Sequence, residues 1–558
     1  MNGISQRETI LKRNLLALSS VDPELAARLS ASPGRPDVQF IESRSAMTVP
    51  ALVEGRRLTA LHSRFDPLKE GLRCFQSAAN AGCVVFLGLG AGYHILPFID
   101  QPHICQLIVV DRDVGLARSV MERIDMRAIL MDPRVKILLD PTPGLVESVL
   151  LSRYLPLLAG NLTTVSLQAR VAQEKAFFQQ ILDSVEAAIG SVADDYTVQS
   201  RFGKKWFINT LANLPKAAEA TQVLRPEHRV LITGAGPSLE DQMEQVLSLG
   251  RHAYLIASDT SLPTLLAHGV KPDLVISIDC QQVSYHHFLG GYPRSVPLVL
   301  DLASPPVLTT LTDRLVFFSS GHPFSQYLNS NWRGFPQIDT SGGNVSHAAL
   351  SLARLLGAEE ITLFGIDFSF PEGKSYARGT YIYRSFRSKE SRLAPVESQN
   401  FSFLMQNRSI VKQRSGSSIR YTTKPMMSYK TRLEDAIRHA GVRVVQAQGQ
   451  GVILDTAAVE TPRGRRLPSV LSQGASRTSW RDFLEGYRAA VQRLAPPRDP
   501  LGQYWNSMSA EERTLWTTML PAATAIREQG CPGSSNASQL LAFTRNWTEN
   551  ELQRRLRR

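Results

Sequence analysis

Two acids near the middle of this chain, Asp259 in Ser258-Asp259-Thr260 and Asp279 in Ser277-Ile278-Asp279-Cys280, each follow a short apolar run. Such runs read as buried strands, and open α/β sheets bind ligands at the carboxyl ends of their strands. The pair could therefore hold a ribose, a base, a sugar or a metal, with Asp259 equally readable as the cap of a following helix. Upstream, Val230-Leu231-Ile232-Thr233 leads into Gly234-Ala235-Gly236-Pro237-Ser238-Leu239. Glycines, a proline and a hydroxyl thus meet a helix start, where free N–H groups suit a phosphate. A second start of this kind is Asp339-Thr340-Ser341-Gly342-Gly343-Asn344-Val345. A third acid, Asp367, ends the run 361–366 before a polar loop carrying Tyr376, whose hydroxyl can donate to a phosphate.

Neither common phosphate motif fits. Leu239 replaces the third glycine of G-x-G-x-x-G, and Gly373-Lys374-Ser375 lacks the earlier glycine of a P-loop. An independent signal lies near the N-terminus, where Cys83-Val84-Val85-Phe86-Leu87 runs into Gly88-Leu89-Gly90-Ala91-Gly92-Tyr93 and a second apolar run ends at Asp111. That is a βαβ pattern in which the acid could take a ribose hydroxyl, as in dinucleotide or S-adenosylmethionine sites; the same glycines equally serve tight strand-to-helix packing.

The elements that must position these residues form two Rossmann-like doubly wound α/β domains and a helical C-terminal region, since a chain of 558 residues exceeds one ordinary core. Residues 1–168 read as the first domain, opening with a helical lead-in of about 45 residues and a strand over 51–61. Residues 169–227 read as a helical connector and 228–457 as the second α/β domain. Residues 458–558 read as a linker followed by amphipathic helices over 480–494 and 510–528.

Composition narrows the class. Hydrophobic residues at 43% and charged residues at 20% describe a folding chain, and the formal net charge of +12 favours anionic partners. Part of that charge sits in Arg-rich stretches, residues 463–466 and 554–558, which read as solvated. No apolar run reaches the roughly 20 residues of a membrane span and no signal core opens the chain, so a cytoplasmic location is expected. The five cysteines, Cys74, Cys83, Cys105, Cys280 and Cys531, are widely spaced and read as reduced and metal-free.

Taken together, residues 234–239, Ile278-Asp279, residues 341–345 and Gly365-Ile366-Asp367-Phe368 resemble the motility accessory factor family of flagellin glycosyltransferases. Ser63-Arg64-Phe65-Asp66-Pro67, residues 88–93 and the connector 197–213 extend the resemblance over most of 45–455. The second domain is also similar to bacterial sialyltransferases of glycosyltransferase family 42. The resemblance implies transfer of pseudaminic or legionaminic acid from a CMP donor to flagellin Ser or Thr. It needs no cofactor beyond that donor, with Mg²⁺ left open, and no nucleic acid partner. It places Gly236, Pro237 and Ser238 at the phosphate. Asp259 and Asp279 would stand where Asn residues of that family contact the nucleotide, Ser341, Gly342 and Gly343 would bracket the cytidine, and Tyr376 would hydrogen-bond the phosphate; Asp279 and Tyr376 are the candidate catalytic residues, and Gly234, Thr260, Asn344 and Asp367 complete the candidate substrate-binding set. The family's histidine base has no counterpart near Met426-Met427-Ser428-Tyr429, which leaves His286, His287 and His322 as candidates, His322 foremost. The alternatives are a Mg²⁺-dependent pterin pyrophosphokinase, a methyltransferase working from residues 88–93 and Asp111, and a non-enzymatic flagellin chaperone.

Overall fold

The computed structural model describes residues 2–406, 409–415, 418–456, 470–530 and 536–557. Cys531, residues 463–466 and Arg558 lie outside the described residues; Cys74, Cys83, Cys105 and Cys280 are free thiols. The chain divides into two compact units. The first comprises residues 1–201, 494–516 and 520–546, and the second residues 202–493, 517–519 and 547–558.

In the first unit, β1 (Val38–Glu42), β2 (Thr48–Glu54) and β3 (Arg57–Ala60) form an antiparallel sheet. The single strand expected over 51–61 is therefore a hairpin. Gly55, at φ +63°, supplies the left-handed turn residue that reverses the chain. The main sheet is parallel, in the order β6-β5-β4-β7, with β4 Ala81–Leu87, β5 Gln106–Asp111, β6 Val135–Leu139 and β7 Asn161–Ser166. Every residue of β4 and β5 is buried, as expected of central strands covered by helices on both faces.

The second unit is built on a seven-stranded parallel sheet. Its strands are β8 (Arg229–Thr233), β9 (Tyr254–Ser258), β10 (Leu274–Ser277), β11 (Leu298–Asp301), β12 (Leu315–Phe318), β13 (Glu360–Phe364) and β16 (Arg443–Gln446). A hairpin, β14 (Ile410–Ser415) with β15 (Ser418–Thr423), interrupts the series. The spatial order β12-β11-β10-β9-β8-β13-β16 reverses direction between β8 and β13, the topological switch point of the sheet. The doubly wound architecture expected from the sequence is present.

The connector read over 169–227 is mostly one helix, α1 (Lys175–Glu219), which belongs to the first unit as far as Arg201 and to the second from Phe202. The expected C-terminal helices appear as Trp480–Arg493 and Ala510–Glu528, the latter started by a capping box between Ser509 and Glu512. Among the described residues no helix is long and apolar enough to cross a membrane.

Candidate functional site

Gly234 and Gly236 follow β8 where it runs beside the end of β13. The amide of Gly234 donates to the Phe364 carbonyl and that of Gly236 to the Gly365 carbonyl, both at 2.8 Å. The Ser238 amide donates to Asp367 Oδ2 at 2.9 Å. A Cβ on Gly236 would stand 2.4 Å from Asp367 Oδ2, and one on Gly234 would stand 2.6 Å from the Gly365 carbonyl oxygen. Glycine is required here because two backbones approach closely. These three amides, expected to face a phosphate, are committed within the protein. Together with Pro237 and the buried Asp367 they lock β8 to β13. Burial raises the Asp367 carboxyl above the usual range, although the Ser238 amide pulls it down.

A second group of buried polar side chains gathers beyond β9 and β10. Asp259 is buried, with Oδ2 accepting from Ser277 Oγ at 2.6 Å and Oδ1 from the amide and hydroxyl of Thr260 at 2.7 and 3.0 Å. It caps no helix: Leu262–Ala267 begins after Ser261. Asp279 accepts from the Gln281 amide at 2.9 Å, and burial, with the neighbouring Asp259 charge, raises its carboxyl. His287 Nε2 lies 3.4 Å from Thr260 Oγ1. Burial holds this imidazole below its ordinary value against the attraction of Asp259 and Asp279. Its ring meets Tyr381 edge-on at 4.9 Å. Burial likewise raises the Tyr376 phenol, reinforced by Tyr381 and Asp259. Asp259, Thr260, Asp279 and Tyr376 thus share one electrostatic neighbourhood with His287 and Tyr381.

A second carboxylate and imidazole pair stands beyond the adjacent strands. Asp301, the last residue of β11, is buried with its carboxyl raised by that burial. His322 Nε2 is 4.0 Å from Asp301 Oδ2, and its ring stacks on Trp206 of α1 at 3.9 Å. The sequence reading missed Asp301, although it ends an apolar run as Asp259 and Asp279 nearly do.

The turn 339–344 is braced internally. The Ser341 amide donates to Asp339 Oδ1 at 2.9 Å, and Asn344 caps α2 (Val345–Leu355) by accepting from the His347 amide at 3.0 Å. Gly343 adopts φ +73°, and a Cβ there would meet the Tyr429 ring at 2.8 Å; one on Gly342 would meet His347 at 2.3 Å. The glycines fit the turn to its own helix and to α3 (Lys424–Arg438).

In the first unit the glycine loop after β4 packs closely against its neighbours. Asp111 is buried and accepts from the Leu89 amide at 2.8 Å and from Arg170 Nε at 3.0 Å. A Cβ on Gly90 would lie 2.5 Å from His62 Nε2, and one on Gly88 3.0 Å from Arg170. The acid that would take a ribose hydroxyl is paired with the buried guanidinium of Arg170 at 2.8 Å.

Among the described residues no group of three or more His, Cys, Asp or Glu is arranged to hold a metal ion. Residues 207–373 match the family described as 6-hydroxymethylpterin diphosphokinase MptE-like. Two uncharacterised proteins of Treponema pallidum (strain Nichols) are similar. One is 35% identical over 148 residues, covering 26% of this chain and 52% of that protein; the other is 36% identical over 171 residues, covering 29% and 79%. The chain thus spans about half the length of the first relative. The structure superposes on the Maf glycosyltransferase from Magnetospirillum magneticum AMB-1 with a TM-score of 0.59 at 15% identity, covering 99% of this chain and 95% of that one.

Proposed function

We propose that this chain, which belongs to one family with the 36% identical Treponema pallidum protein and has the fold of the Maf glycosyltransferase, is itself a glycosyltransferase. It transfers a nonulosonic acid of the pseudaminic or legionaminic type from a CMP-activated donor to Ser or Thr of flagellin, in the cytoplasm. The observation that carries the reading is the cluster of Asp259, Asp279, His287, Tyr376 and Tyr381 at the carboxyl edge of a seven-stranded parallel sheet.

In the reaction the acceptor oxygen attacks the anomeric carbon while the bond to the CMP phosphate breaks and its electron pair leaves with CMP. The enzyme must orient both partners and stabilise the departing phosphate. Tyr376 is a phenol kept protonated by burial, so it donates to that phosphate. Asp279 accepts from sugar or ribose hydroxyls, Asp259, already held by Ser277 and Thr260, contributes its charge from behind, Thr260 lines the same edge, and the turn 341–344 supports the base. The acceptor proton passes to an imidazole beside a strand-end carboxylate, either His322 with Asp301 or His287 with Asp259 and Asp279.

The test is incubation with a CMP-activated nonulosonic acid and flagellin. A gain of one sugar-acid residue, the free acid less one water, on flagellin Ser or Thr, with CMP released, is expected; hydrolysis without transfer, or no turnover, contradicts the reading.

A second reading is favoured by the match over 207–373: Mg²⁺-dependent pyrophosphoryl transfer to a pterin. Asp259 and Asp279 supply two carboxylates, as many as Mg²⁺ commonly takes alongside substrate phosphates. Asp259, however, already accepts three hydrogen bonds from the protein. AMP release from ATP, dependent on Mg²⁺ and a hydroxymethylpterin, would decide for it.

A further inference from the structure

Beside the strand-end acids lies a cavity of about 400 Å³ whose walls include His286, His287, Gly290, Tyr381, Arg384 and Ser385. His287 and Tyr381 belong to the cluster described above; the others have no part in the mechanism. Arg384 projects from the helix Tyr381–Arg387. Its neighbours in sequence are paired, Arg378 with Glu240 at 3.6 Å and Arg387 with Glu390 at 3.7 Å, whereas Arg384 has no acidic partner among the described residues. Glycine at 290 leaves room for the guanidinium, since a Cβ there would stand 3.0 Å from Arg384 Nη1. His286 and His287 meet the Tyr381 ring edge-on at 5.4 and 4.9 Å. The cavity therefore presents a planar cation, two imidazoles, two hydroxyls and an aromatic face.

We infer that this cavity is the subsite for a sugar acid, with Arg384 taking the carboxylate. The inference rests on the glycosyltransferase reading and adds the side chain that reads the acid. A guanidinium binds a carboxylate through two parallel N–H donors, a fit that a point charge does not give. The hydroxyls of Tyr381 and Ser385 and the imidazoles match ring hydroxyls. A bare phosphate would fill little of a cavity in the roughly 300–1,000 Å³ range of small-molecule sites, whereas a sugar acid would occupy it. His287 joins the cavity to Thr260, and through it to Asp259, so a sugar held there reaches the strand ends.

The test is calorimetric titration of the full chain with N-acetylneuraminic acid, its methyl ester, inorganic phosphate and CMP as separate probes. The wild type is expected to bind the acid saturably and the ester at least about tenfold more weakly, the loss of one charge-assisted pair. Arg384→Gln should weaken acid binding by the same factor, Arg384→Lys should restore part of it, and CMP affinity should stay unchanged in both. Arg384 is exposed, so its variants retain the fold. Equal binding of acid and ester, wild-type acid affinity in Arg384→Gln, absence of saturable acid binding, or phosphate binding tighter than the acid would each overturn the inference. Failure of CMP to bind would sink the nucleotide-sugar reading while the acid and ester titrations still decide the cavity.

Discussion

The two imidazoles near strand-end acids differ in surroundings. His287 is wedged between carboxylates and Tyr381, whereas His322 lies flat on Trp206 with the buried Asp301 behind it. A positioned base is worth roughly 10²–10⁴-fold in rate. We therefore expect His287→Asn or His322→Asn, one of the two, to lower kcat in the transfer assay by that factor, with the other losing less than about tenfold; comparable small losses in both would exclude an imidazole base. A third histidine bears on stability. His94 is fully buried beside the Gly88 carbonyl at 3.0 Å, and burial pushes its pKa down to about 3. From pH about 6.5 down to about 3 the unfolded chain carries a proton on this residue that the folded chain refuses, so stability falls as pH drops, by up to about 1.4 kcal/mol per pH unit. Replacing His94 with Gln should flatten the fall of the thermal midpoint between pH 6.5 and 4, and an unchanged slope would contradict the assignment.

At the scale of elements, the sheet strands were legible because buried parallel strands read as continuous apolar runs, as in Val230-Leu231-Ile232-Thr233 and Leu107-Ile108-Val109-Val110. The strands β6 and β7 and the hairpin β14–β15 were not read, Asn161–Ser166 being polar and partly exposed. The glycine loops were legible as loops, but what fills them was not. Asp367 lies 129 residues beyond Ser238 and Arg170 59 beyond Asp111, distances at which sequence spacing carries no pairing information. Two predictions follow from these fillings. Gly236→Ala forces a Cβ onto Asp367 and should cost about 1–3 kcal/mol in urea unfolding, whereas Gly144→Ala, in open space on the helix Pro143–Arg153, should be neutral or stabilising. Arg170→Met strands the buried Asp111 charge and should cost about 3–5 kcal/mol, with Asp111→Asn added to it recovering part of the loss.

For the whole molecule, a formal charge of +12 accords with an anionic, nucleotide-linked substrate, while the acids of the central site sit at strand ends within that basic chain. The first unit's glycine loop packs against His62, Leu167 and Arg170, and the proposed function assigns the donor to the second unit's sheet edge. The measurement that tests this assignment most directly is calorimetric titration of the wild type and of Asp279→Ala with CMP, with ADP and S-adenosylmethionine as controls. The account predicts CMP binding that Asp279→Ala abolishes, and no S-adenosylmethionine binding to either protein. S-adenosylmethionine binding, or ADP binding with none for CMP, would contradict it.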